Sequence, residues 1–377
     1  MYISTTDELI DFCWRASRFD AIAVDTEFLR EKTYRAKLCL IQIATPEEYV
    51  CIDPLVLDDL EPLRDLFTNR GVTKVFHACS QDMEVLFDAL GCLPKPIFDT
   101  QIAASFLGFR MQIGYSSLVS HYCGVNLSKM ESLTDWSQRP LTPEQIEYAY
   151  DDVRYLIQFY RQMYRDLEDK DRLSWVSAEM VELTRKENYE VDRREVFRRV
   201  KRITSLTRHQ QGVARELAAW RELRAQKCDI PRKWVMTDEV LIAICKREPR
   251  NTQDLCRIRG TESLSARDCE GVLTAVAHGL ACPPDRLPLI RKPHKAAGPE
   301  LDSVSDLMYA LVRLVSEREG IATAMIASRE SLIDYIVKPQ SSVLSEGWRH
   351  ELVGRQLDDL LAGRIGLTVH DNHVELV

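Results

Sequence analysis

The chain of 377 residues has no Cys-x-x-Cys pair: its 11 cysteines are scattered, and the nearest two in sequence are Cys245 and Cys256. That excludes a zinc ribbon or a thioredoxin-like site and fits buried, reduced thiols. No apolar run approaches the roughly 20 residues that span a bilayer. The start, MYISTTDELIDFCWRASRFD, has no basic stretch leading into an apolar one, so no signal peptide is expected. The expectation is a cytoplasmic protein that does not touch a membrane. A nucleotide triphosphatase would need phosphate-cradling glycines, and neither GxxxxGK(S/T) nor GxGxxG occurs. A Ser–His–Asp hydrolase would want a nucleophile elbow, and GxSxG is missing as well.

What is present is ordinary globular composition, 45% hydrophobic and 29% charged, with room for two or three domains. The charge is uneven. Residues 191–260 hold 18 Lys/Arg against 9 Asp/Glu, a surplus of nine that leaves −17 on the rest of a chain with net charge −8. A basic segment on an acidic remainder suggests a polyanionic partner; a solvated helical surface would also carry such charge.

The first 100 residues alternate strands and helices. FDAIAVDTEF, KLCLIQIAT and EYVCIDPL read as a three-strand meander, followed by the strand TKVFHA, the helix DMEVLFDALG, the short strand KPIFD and the helix TQIAASFLG. LTPEQIEYAYDDVRYLIQFYRQMYRDL is a helix opened by Thr142 as N-cap, Pro143 at the first position and Gln145 closing a capping box. Beyond Asp171 the strand signal disappears and helices are expected throughout. Residues 281–300, ACPPDRLPLIRKPHKAAGPE, read as a linker. A weak repeat at an offset of 91 flanks it: Ala219, Leu223, Ile230, Thr237 and Leu241 match Ala310, Leu314, Ile321, Ser328 and Leu332. Two copies of one helical module would explain the match. His370 and His373 form an HxxH without a completing ligand and read as a solvated tail, and Trp348 as helix packing.

In AVDTEF, apolar strand formers run into Asp25 and Glu27. Side chains alternate along a strand, so the two carboxylates share a face and repel. A divalent cation between them would cancel that repulsion, though an exposed strand end would tolerate them too. Asp82 falls in the first turn of the helix after TKVFHA, where an acid also complements the helix dipole. Asp99 reads as an N-cap only. Tyr148 and Asp152, at i and i+4, stack on one helix face. Four carboxylates suffice to hold two divalent ions for phosphoryl displacement, with a tyrosine to orient water.

AVDTEF, HACSQDMEVLF and EYAYDDVRYL, in that order, resemble the three motifs of the DEDD 3′–5′ exonucleases, and the Tyr-x-x-x-Asp spacing resembles their tyrosine-bearing subclass. FDTQIAASFLG and LTDWSQRPLTPEQIEYA resemble the ribonuclease D family. The basic helical segment resembles an HRDC domain, and GIATAMIASRESL a second, more degenerate one. The resemblance implies an α/β ribonuclease H-like exonuclease domain, a mixed five-stranded sheet with helices, followed by all-α HRDC-type domains. The expected boundaries are 1–170 for the exonuclease domain, 171–206 for a helical connector, 207–285 for the HRDC domain, 286–300 for the linker and 301–377 for the second helical module.

By the same resemblance Asp25, Glu27, Asp82 and Asp152 are metal ligands for two cations, Mg²⁺ or Mn²⁺, and Tyr148 orients water. The implied activity is hydrolysis of RNA from its 3′ end to nucleoside 5′-monophosphates, in the maturation of tRNA and other stable RNA, by a monomer. Phe28, His77 and Gln81 are candidate nucleotide contacts, and Arg198, Arg199, Lys201, Arg202 and Arg208 candidate phosphate contacts. A DNA exonuclease and an inactive RNA-binding scaffold remain the alternatives, because metal motifs do not distinguish the sugars.

Overall fold

The computed structural model describes residues 1–127, 134–288 and 299–377. The strands are β1 (Tyr2–Ile3), β2 (Ala21–Leu29), β3 (Lys37–Ala44), β4 (Tyr49–Ile52), β5 (Thr73–Phe76) and β6 (Ile97–Asp99), in one sheet ordered β1-β4-β3-β2-β5-β6. β3 and β4 pair antiparallel, whereas β5 runs parallel to both β2 and β6. The sheet has one strand more than expected. β1 is a two-residue segment parallel to β4, too short to show an alternation pattern. Ile22, Val24, Leu40, Ile41, Ile43, Val50, Ile52 and Val75 are buried along the central strands.

Among the described residues, seven helices accompany this sheet: α1 (Thr6–Ala16), α2 (Glu61–Thr68), α3 (Ser80–Leu90), α4 (Thr100–Ser105), α5 (Tyr115–Cys123), α6 (Pro143–Glu168) and α7 (Leu173–Leu183). Several starts have a local cause. Thr5 and Thr142 make capping boxes with Glu8 and Gln145. Asp99 caps α4, accepting from Gln101 and Ile102, and also holds the amides of Ala78 and Cys79. Gly91, at φ +69°, closes α3 in the left-handed conformation that glycine adopts without strain.

The helical region begins with α8 (Arg208–Cys228), α9 (Arg232–Val235), α10 (Asp238–Arg247), α11 (Thr252–Cys256) and α12 (Ala266–Leu280) around a core of Val213, Leu217, Leu241, Ile244, Val272 and Val276. A second set follows: α13 (Pro299–Glu319), α14 (Thr323–Ile326), α15 (Arg329–Val337), α16 (Gly347–Arg349) and α17 (Arg355–Leu361). The repeat seen in the sequence is structural. Shifting α8 and α9 by 91 residues lands on the bounds of α13 and α14, and α10 and α15 start at matching positions. Both turns after the long helix use a left-handed residue, Asp229 or Gly320.

Residues 1–27, 38–185 and 295–377 form one compact unit, and 28–37 with 186–294 another. Within the first, the second helical set is tied to the sheet-bearing part. Arg172 donates to the carbonyls of Phe106 and Glu319, Glu179 accepts from Trp348 and Arg349, and the Trp348 ring lies 5.0 Å from Phe106 and 5.6 Å from Trp175. Trp348 thus packs helices, as expected.

The expectation of an all-helical C-terminal half is corrected at its end. β7 (Leu367–His370) and β8 (His373–Leu376) pair antiparallel. Asp371 and Asn372 adopt positive φ, the two-residue turn that favours hairpins, so the HxxH is a hairpin tip. Its alternation is only four residues long per strand, too short to stand out. Of the expected linker, residues 289–298 lie outside the described residues.

Candidate active site

β2 is buried from Ala21 to Val24, then surfaces at its carboxylate end. Asp25 and Glu27 leave the strand on one side, and Thr26, between them, is buried. α6 supplies Asp152. Carboxylate oxygens of Asp25, Glu27 and Asp152 all lie within 4.8 Å of one another. Asp82, buried in the first turn of α3, stands beside this trio and accepts the Thr26 hydroxyl at 2.5 Å. One turn before Asp152, Tyr148 stands on the same helix face, where the Asp152 charge acts on its phenol.

The electrostatics follow from the crowding. Burial, then the charges of Asp152, Asp82 and Glu27, push the Asp25 carboxyl well above its usual range. Burial, then the charges of Asp152 and Asp82, raise Glu27 to about 8. Asp152 rises to about 7 through burial and the charges of Asp151 and Asp82, and Asp82 to about 6, through burial and against the pull of the Thr26 hydroxyl. The Tyr148 phenol is pushed up by burial and by Asp152, Glu27 and Asp25, so it keeps its proton at working pH. The charges that act on Asp25 and Glu27 are all carboxylates. Asp152 Oδ2 is buried with no hydrogen-bond partner among the described residues. An oxygen-only donor set with surplus negative charge and an unspent oxygen fits divalent cations.

Three neighbours carry no signal in the sequence. Thr26 stands between two acids with no pattern of its own. Tyr115, which opens α5, donates to the Asp151 carbonyl at 2.7 Å and is pushed up by burial and by Asp152 and Asp25. The Trp136 ring packs 6.0 Å from Tyr148. The loop carrying it is pinned by Arg139, which donates to both Asp53 oxygens and to the carbonyls of Cys39, Trp136 and Gln138.

Of the remaining candidates, His77 lies against a neighbour of the cluster, its ring 5.6 Å from Tyr115. His77 follows β5; its Nδ1 meets the Thr100 hydroxyl at 3.0 Å and burial lowers its pKa. Gln81 is exposed in α3. Phe28 continues β2 with its ring 5.8 Å from the Arg30 guanidinium. Arg198 pairs with Glu195, Arg202 has φ +63°, and Arg208 reaches the Leu287 carbonyl at 3.3 Å. Arg199 and Lys201 line one cavity.

Comparison with known proteins places these features. The 3′-5′ exonuclease family matches residues 1–168 and the HRDC domain family residues 210–269. The chain is thus a nuclease of the 3′–5′ exonuclease class with an appended HRDC domain. It is 38% identical to ribonuclease D of Jannaschia sp., covering 100% of this chain and 98% of that one, and 38% identical to ribonuclease D of Sphingobium indicum, covering 99% and 97%. The crystal structure of Escherichia coli RNase D, described as an exoribonuclease involved in structured RNA processing, matches with TM-score 0.85 and 32% identity over 96% of this chain and 98% of that one. The chain belongs to the ribonuclease D family and is an enzyme, a 3′–5′ exoribonuclease.

Proposed function

We propose that the enzyme degrades single-stranded RNA from its 3′ end, one nucleoside 5′-monophosphate at a time, with two divalent cations, Mg²⁺ or Mn²⁺, at the carboxylate cluster. The carrying observation is that cluster: half-buried acids within 4.8 Å of one another, raised by desolvation and by their neighbours' charge. Asp25, Glu27, Asp82 and Asp152 would hold the cations. When bound, these supply Lewis acidity toward the scissile phosphate and lower the pKa of a water. The Tyr148 hydroxyl, kept protonated beside Asp152, can hydrogen-bond to a water and fix that water's orientation. Its raised pKa excludes it as a base. Asp82, anchored by Thr26, keeps its carboxylate in place as the charge around it changes.

The natural substrates would be tRNA precursors and other stable RNAs with single-stranded 3′ ends, and the enzyme would act as a cytoplasmic monomer. The E. coli neighbour's role in structured RNA processing supports this substrate class. The domain division proposed is 1–170, 171–206, 207–285, 286–300 and 301–377. Phe28, His77 and Gln81 would meet the terminal nucleotide, and the basic residues from Arg198 to Arg208 the phosphates.

The test is a gel time course with 5′-labelled single-stranded RNA, in Mg²⁺ or EDTA, beside the same sequence as DNA. A metal-dependent ladder shortening from the 3′ end, faster on RNA, is expected. Cleavage in EDTA would refute the metal assignment, and a DNA-only ladder the substrate.

A further inference from the structure

The turn between β5 and α3 contains His77, Ala78 and Cys79, and Asp82 stands three residues beyond it. Ala78 has φ +61°, a left-handed conformation that strains an alanine and that glycine would adopt freely. A residue keeps such a conformation only where its surroundings over-determine it. Here the surroundings are two consecutive residues, Asp99 at the end of β6 and Thr100 at the start of α4.

β6 pairs with β5 so that Asp99 lies opposite Phe76. Asp99 Oδ1 accepts the Ala78 amide at 3.1 Å, and its Oδ2 accepts the Cys79 amide at 2.8 Å. Thr100, fully buried, donates its hydroxyl to the Phe76 carbonyl at 3.0 Å and meets His77 Nδ1 at 3.0 Å. Each residue from Phe76 to Cys79 is therefore tied to this pair. The helix follows at once: the Met83 amide donates to the Cys79 carbonyl at 2.9 Å, which places Asp82 within the first helical turn counted from the anchored residue.

Helix capping does not account for the carboxylate. As the N-cap of α4, Asp99 accepts from the amides of Gln101 at 2.8 Å and Ile102 at 3.2 Å, both at Oδ1. Asparagine caps helices as well as aspartate does, and it brings no charge into a site that is 2% exposed. What asparagine cannot do is accept at both ends of the side chain. With its oxygen on Ala78 and the α4 amides, its NH₂ group would face the Cys79 amide, donor against donor. The second carboxylate oxygen thus serves the turn that leads to Asp82, not α4.

We propose that Asp99 and Thr100 are positioning residues for the reaction: together they fix the strained turn that delivers the Asp82 carboxylate to the cations. The proposal rests on the reading of the carboxylate cluster as a metal site. Its test therefore measures metal binding apart from cleavage, so that failure of the site and failure of the positioning are separate results.

Mn²⁺ binding to the full chain is measured by titration calorimetry without RNA, at a temperature where circular dichroism shows each variant folded, beside kcat and KM on single-stranded RNA. Asp99→Asn should weaken Mn²⁺ binding about tenfold or more and lower kcat with KM little changed. Thr100→Val removes the hydroxyl but keeps the volume; it should act in the same direction, and Thr100→Ser should restore most of the loss. Thr5→Ala, which removes the cap of α1, should lower melting while Mn²⁺ affinity stays parental, so lost stability alone does not imitate the effect. Parental Mn²⁺ affinity and kcat in Asp99→Asn and Thr100→Val would overturn the positioning role, and equal losses in Thr100→Val and Thr100→Ser would overturn the part given to the hydroxyl. A parent that binds Mn²⁺ no better than Asp25→Asn would overturn the metal reading beneath it.

Discussion

Without metal, the carboxylate cluster should make the protein less stable as pH rises, and divalent cation should remove that loss. A carboxylate whose folded pKa lies above its unfolded value stabilises the fold only while protonated. Its contribution is full below the unfolded value, near 4, and is lost as pH passes the folded values of about 6 for Asp82, 7 for Asp152 and 8 for Glu27. Asp152 rises from 3.8 to about 7, and at about 1.4 kcal/mol per pKa unit its ionisation costs the fold about 4 kcal/mol. The members raise one another, so their costs overlap and do not sum. For a domain of this size, 4 kcal/mol is roughly 8–16 °C of melting temperature. The assay is thermal unfolding from pH 5 to 8.5, in EDTA and in Mg²⁺. Lys74 pulls the other way: burial lowers its ammonium from 10.5 to about 7, so its share of stability rises with pH above 7. That share is common to both conditions and cancels in their difference. Asp25→Asn removes one charge from the cluster and should melt higher than the parent in EDTA at pH 8.5, while losing activity. If the gap between the Mg²⁺ and EDTA curves does not widen with pH, or if Asp25→Asn melts with the parent, the crowding argument is wrong.

Other outcomes are expected from single sites. Asp152→Asn should abolish cleavage with the circular dichroism spectrum intact; near-parental turnover would remove Asp152 from the site. Tyr148→Phe should slow cleavage by about 10²-fold or more while isothermal titration finds metal affinity little changed, since the hydroxyl acts on water; equal losses of both would contradict that division. Arg139→Ala leaves Asp53, 1% exposed in its side chain, without its ion pair, and should cost about 3–5 kcal/mol in denaturant unfolding. Lys74→Met keeps the volume but strands three carbonyls, of Asn69, Val72 and Lys95, that the ammonium now meets at 2.6–2.9 Å. It should destabilise by about 2–4 kcal/mol, and a neutral result would show that relief of burial offsets those bonds.

What can be read from the sequence is local. The period of two on AVDTEF puts Asp25 and Glu27 on one side, the period of 3.6 puts Tyr148 over Asp152, and the capping box marks the start of α6. The repeat is legible because helix, turn and helix recur at one offset. What cannot be read depends on distant partners. Thr26 matters because α3, 56 residues on, delivers Asp82 to its hydroxyl. Tyr115 and Trp136 meet the cluster only once α5 and the loop before α6 are packed, and no local pattern marks either. β1 and the C-terminal hairpin are illegible for lack of length: two and four residues per strand cannot establish alternation.

Two arginines, Arg139 half-buried and Arg221 buried, show that the partners of a guanidinium, rather than its depth alone, say how it is held. Arg139 uses its guanidinium completely: both oxygens of Asp53 and three carbonyls accept from it, and the loop that holds Trp136 against Tyr148 depends on those bonds. Nothing is left over for a ligand, and its removal is a stability experiment. Arg221 is more deeply placed, its Nε is buried without a partner among the described residues, and the equivalent position in the second module holds the buried Val312. Arg221 donates to the Met236 carbonyl at 3.0 Å and to Asp238 at 2.8 Å, and the second module has Val312 and Arg329 at the two side-chain positions, so the pair is kept or lost as a unit. Trp234, exposed, has the buried Met325 as its counterpart, so two copies of one helical plan bury different positions.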